Sequence, residues 1–79
     1  MVELRDSLGN LITGSNAGIT WQPGSAGAYV SFGDGTMDQG GTKEMEAVPM
    51  SHRFRLTYQG LTKTKQQNIG TNPVVSFVW

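Results

Sequence analysis

His52-Arg53-Phe54-Arg55-Leu56-Thr57-Tyr58-Gln59-Gly60 alternates Phe54, Leu56 and Tyr58 with Arg53, Arg55 and Thr57 and stops at a glycine. That period of two is the pattern of a half-buried strand. Successive side chains on a strand point to opposite sides of the sheet, so the three apolar residues enter a core while the arginines face water. Leu61 to Gln67 follows directly across Gln59-Gly60 and reads as the antiparallel partner of this strand.

Working outward, turn residues punctuate further short apolar runs. Val2 to Arg5 reads as a first strand, closed by Asp6-Ser7-Leu8-Gly9-Asn10, after which Leu11 and Ile12 return to the interior. Ala17 to Gln22 carries Ile19 and Trp21 on one side and ends at the loop Pro23-Gly24-Ser25-Ala26-Gly27. Ala28 to Phe32 runs to a bend at Gly33-Asp34-Gly35, Thr42 to Val48 forms a strand with its acidic positions outward, and Pro73 to Trp79 forms the last. Seven short strands without a helical period predict an all-β fold, a small antiparallel sandwich of immunoglobulin-like or transthyretin-like architecture. Its expected core is Val2, Leu4, Leu11, Ile19, Val30, Phe32, Met45, Phe54, Leu56, Tyr58, Val75 and Phe77.

At 79 residues the chain makes one domain, 1–79, near the lower limit for a core without staples. It has no cysteine, which excludes disulfides and thiolate metal sites without specifying a compartment. Six basic residues balance six acidic ones, so no broad field draws the chain to nucleic acid or to membrane phosphate; a neutral glycan suits it better. Lys63, Lys65, Arg53 and Arg55 read as a solvated strand face that discourages edge pairing. No run approaches the roughly 20 apolar residues of a membrane span, and Met1-Val2-Glu3-Leu4-Arg5 is not a signal peptide. The short lead-in to the first strand suggests a domain excised from a larger protein.

Catalytic constellations are not evident. The single histidine, His52, lacks a nucleophile and an orienting acid around it in sequence and reads as a surface or strand-edge residue. Asp34-Gly35-Thr36-Met37-Asp38-Gln39-Gly40 has the alternating oxygens of a calcium loop, but Gln39 falls where such a loop has glycine and Met45 where it has glutamate. Calcium therefore competes with a plain acidic turn, and no other cofactor is implied.

The aromatic residues carry the sharpest functional expectation. Trp21 directly precedes the Pro23–Gly27 loop, Tyr29 follows it, and Trp79 ends the last strand. Strand ends are where sandwiches place recognition surfaces. A pyranose ring lays its C–H face on an indole or phenol ring, and amides or carboxylates such as Gln22, Asp34 and Gln39 take its hydroxyls. Parity gives the competing reading: Trp21 sides with Ile19, and Trp79 with Val75 and Phe77, so either can be a core residue.

The order Val2-Glu3-Leu4-Arg5-Asp6-Ser7-Leu8-Gly9-Asn10, Ser31-Phe32-Gly33, Lys43-Glu44, Phe54-Arg55-Leu56-Thr57-Tyr58-Gln59-Gly60 and Asn68-Ile69-Gly70-Thr71-Asn72 resembles bacterial β-sandwich carbohydrate-binding modules of the kind attached to endoglucanases, including a β-glucan-binding type from soil metagenomes. The resemblance spans nearly the whole chain. It implies an extracellular, non-catalytic domain that binds a polysaccharide and is covalently linked to a glycoside hydrolase. Some modules of this kind are structural or adhesive spacers, which is the alternative. Tyr29 stands where a tryptophan precedes the Ser-Phe-Gly element in such modules, and Trp21 and Trp79 stand where other residues are usual, as if added for binding.

Overall fold

A computed structural model describes residues Met1–Trp79. Seven strands and no helix form two sheets: β1 (Val2–Arg5), β2 (Gly18–Gln22), β3 (Val30–Thr36), β4 (Thr42–Lys43), β5 (Ser51–Tyr58), β6 (Leu61–Asn68) and β7 (Val75–Val78). A three-stranded sheet in the order β4-β1-β7 packs against a four-stranded sheet in the order β3-β2-β5-β6, which is the expected sandwich. No helix is long and apolar enough to cross a membrane.

β5 behaves as its alternation requires. His52, Phe54 and Leu56 are buried while Ser51, Arg53, Arg55 and Thr57 are exposed. Gln59 and Gly60 both take positive φ, 52° and 77°, the conformation a two-residue hairpin needs to match strand twist. This turn sets the β5–β6 register, with Tyr58 opposite Leu61 and Ser51 opposite Asn68.

Three features depart from the expected sandwich. β1 and β7 pair in parallel, Val2 opposite Val75 through Arg5 opposite Val78, so the smaller sheet is mixed rather than antiparallel. The Gly33-Asp34-Gly35 stretch does not end β3 but bulges within it: the step from Gly18 to Thr20 on β2 faces the step from Ser31 to Thr36 on β3. Asp34 pins the bulge by accepting from the Thr36 amide at 3.0 Å and the Lys43 ammonium at 2.7 Å. The expected Thr42–Val48 strand is only two residues long, because beyond Lys43 nothing pairs with it.

The buried core contains Val2, Leu4, Ile19, Phe32, Phe54, Leu56, Val75 and Phe77 as expected, and adds Ala17 and Met37. Met45 and Tyr58 are half-buried against it. Leu11 and Val30, expected inside, are 37% and 49% exposed. Leu11 makes only an isolated bridge to Arg5, and Val30 begins the edge strand β3, where no further strand covers it.

The sandwich is closed along one side by β6. Its register sets Lys63, Lys65 and Gln67 opposite Leu56, Phe54 and His52, so these polar side chains point toward the second sheet. There they reach the open edge of β7 and the segment leading into it: Lys63 donates to the Val78 carbonyl at 2.5 Å and Lys65 to Ser76 at 3.0 Å, while Gln67 donates to Val74 at 2.6 Å and to Asn72 at 2.7 Å just ahead of the strand. The carbonyls of an edge strand, which would otherwise await a foreign strand, are thus occupied by side chains.

Candidate functional site

Trp21 lies opposite Phe54 of β5, so its indole is carried on the inner face of the four-stranded sheet. It meets Phe32 edge-on with centroids 5.2 Å apart, stacks on Phe54 at 5.9 Å and leans on His52 at 5.1 Å. The ring is half-buried, not sealed, and its remaining surface walls a pocket of about 230 Å³. Phe32 and Met45 share the apolar wall; Ser31, Gly33, Glu44 and Glu46 complete it. Downstream of β4 the chain alternates Glu44, Met45 and Glu46, leaving both glutamates exposed around the half-buried methionine. The three ion pairs of the structure engage Glu3, Asp34 and Asp38, so the two pocket glutamates stand without a counter-charge.

His52 braces this end of the sandwich. It is 3% exposed, not the surface residue that its isolation in sequence suggests. The Gly24 amide donates to Nδ1 at 2.7 Å; with Nδ1 accepting, Nε2 carries the proton and donates to the Val48 carbonyl at 2.6 Å. One ring thereby ties the loop after β2 and the segment before β5 to the strand beneath Trp21.

The other anticipated residues are distributed over the molecule rather than gathered around Trp21. Tyr29 is half-buried, with the guanidinium of the outward-facing Arg55 lying 3.7 Å from its ring centroid. Gln22 accepts from Arg53 at 3.3 Å, and Gln66 accepts from the same guanidinium at 3.3 Å, so Gln22 and Tyr29 belong to the outer face of the sheet. Asp34 is turned onto Lys43, whose ammonium also lies 3.7 Å from Asp38. Lys43 and the Thr36 donors hold its carboxyl down at about 2. Gln39 is exposed in the β3–β4 connection, and its carbonyl accepts from the Gly14 amide at 2.7 Å. In the calcium-like segment, then, the two aspartates already face a cationic side chain, and no group of three His, Cys, Asp or Glu side chains gathers to hold a metal.

Trp79 sits at the far end of β5. It is half-buried, edge-on to Tyr58 at 6.0 Å and tilted against Phe77 at 6.4 Å, with the Lys63 ammonium 4.6 Å from its ring centroid. Four residues of strand, about 13 Å at the usual rise, separate Phe54 beneath Trp21 from Tyr58 beside Trp79. The three aromatic side chains therefore do not form one platform. Glu44 and Glu46, which the sequence reading leaves as outward strand positions, join Trp21 instead; the available signal was two acidic residues flanking an apolar one next to an inward tryptophan.

Comparison with protein-family models, with curated proteins and with solved structures found no match to this chain.

Proposed function

We propose that this domain is a non-catalytic carbohydrate-binding module that holds a β-glucan chain and, within a longer extracellular bacterial protein, keeps a linked glycoside hydrolase on its polymer. The observation that carries the reading is the half-exposed Trp21 indole walling an open pocket whose rim bears two free carboxylates. The indole offers a flat apolar surface to the C–H face of one sugar, and Glu44, Glu46 and Ser31 are acceptors or donors for its hydroxyls. At about 230 Å³ the pocket accommodates a ring-sized group rather than a long chain. Affinity is accordingly modest, about micromolar to millimolar, because few atoms are buried against the freedom the glycan loses.

With only two tryptophans in the chain, Trp79→Phe leaves Trp21 as the sole indole reporter. Titrating that variant with cello-oligosaccharides, mixed-linkage glucan and xyloglucan oligosaccharides is expected to give a saturable change in emission. The absence of any change, together with unretarded migration in glucan-containing native gels, would remove the reading.

One observation favours a second reading, a structural or adhesive spacer repeat. Because β1 and β7 run in parallel, the chain enters β1 at one end of the sheet and leaves β7 at the other, the polarity that strings domains end to end.

A further inference from the structure

The charges around the Trp21 pocket are one-sided. Glu44 and Glu46 contribute two carboxylates, and no lysine, arginine or histidine lines the recess. The nearest cation in sequence, Lys43, passes against Gly33 of the wall, but its ammonium is matched by two further carboxylates, Asp34 at 2.7 Å and Asp38 at 3.7 Å. A neutral sugar entering such a site displaces water from two anions and supplies only hydroxyl donors. An ammonium group supplies charge-assisted hydrogen bonds to the carboxylates, and its attraction to the indole face adds to them. The space admits one ring, and the wall formed by Trp21, Phe32 and Met45 asks for an apolar face on the same ligand. Resting on the glycan reading above, we propose that the pocket selects a positively charged amino sugar, a glucosamine unit with a free amine in a β-1,4-linked chain, over neutral glucose.

Isothermal titration near pH 6, where such an amine is charged, would compare a β-1,4-glucosamine tetramer, its fully N-acetylated counterpart, cellotetraose and a short lysine-bearing peptide. The glucosamine tetramer is expected to bind at least about tenfold more tightly than the other three, with affinity falling as salt rises. Glu44→Gln and Glu46→Gln, both at exposed positions, should each weaken it about three- to tenfold. Each should weaken cellotetraose binding by a smaller factor than that of the glucosamine tetramer, because glutamine keeps an acceptor for a hydroxyl and loses only the charge; equal losses for the two ligands would also overturn the charge selection. Equal affinity for all three tetramers would overturn the charge selection and leave the glucan reading standing. Binding of none would overturn both. A lysine peptide that matched the glucosamine tetramer would overturn the sugar assignment and place the pocket in protein recognition.

Discussion

Replacing His52 with phenylalanine separates what its ring packs against from what its nitrogens bind. Phenylalanine keeps an aromatic ring beside Trp21 and Phe54, which lie 5.1 and 6.3 Å from the imidazole centroid. It removes the acceptor for the Gly24 amide and the donor to the Val48 carbonyl. A backbone group left without a partner costs about 1–3 kcal/mol, toward the lower end when water can reach it. Gly24 is half-buried and Val48 exposed, so the two losses together should amount to about 2–3 kcal/mol. A domain of this length has about 4–12 kcal/mol of total stability, so the substitution should remove a substantial fraction of it. Urea unfolding followed by tryptophan emission reads this directly, with Trp21 beside the altered ring. A midpoint equal to or above that of the wild type, at unchanged slope, would refute the bracing role of His52.

Acid should weaken the fold in part through Asp34. Its folded carboxyl titrates at about 2, below the ordinary 3.8, so its contribution is fully present above 3.8 and is lost as pH falls from there through about 2. The urea midpoint should decline over that range, and Asp34→Asn should flatten the decline; an identical decline in the variant would contradict the ion pair. Gly41→Ala should be worse than Gly9→Ala. Both glycines have positive φ, 81° and 87°, but a Cβ on Gly41 would lie 2.7 Å from the Ile12 carbonyl oxygen, whereas Gly9 has open space. About 1 kcal/mol is expected at Gly9 and more than about 2 at Gly41, compared by thermal or urea unfolding; equal losses would mean that the Ile12 contact yields freely. Replacing Lys63 and Lys65 together by threonine frees the Val78 and Ser76 carbonyls and removes two inward charges. Sedimentation velocity should then show concentration-dependent association, and a monomer at every concentration would show that the β7 edge needs no such cover.

The strands were legible where one sheet face is wet and the other dry. β5 declares itself through Arg53, Phe54, Arg55 and Leu56, and the same parity rightly sets Trp21 inward, opposite Phe54. Parity assigns a face and not a neighbour, which is why the parallel β1–β7 pairing, between segments more than 70 residues apart, could not be read from it. It also does not distinguish edge from centre, so Val30 has the alternation of a core residue and the exposure of an edge one. Gly33-Asp34-Gly35 has the composition of a turn, but the Asp34–Lys43 contact across the fold keeps it within β3 as a bulge. His52 lacks visible partners in sequence because both are main-chain groups, which no residue type announces: the Gly24 amide of a distant loop and the Val48 carbonyl four residues upstream. The candidate site was half legible: Trp21 by position and parity, Glu44 and Glu46 only once the short β4 let their segment fold over it.

The parallel pairing of β1 with β7 also determines how the domain would bear tension. Force transmitted along the polypeptide through these two strands pulls them lengthwise past each other, and the contacts from Val75 amide to Met1 carbonyl through Trp79 amide to Arg5 carbonyl are strained at once instead of opening one by one. The fold is built to resist stretching in shear, and mechanical rupture would require that whole seam to give way together.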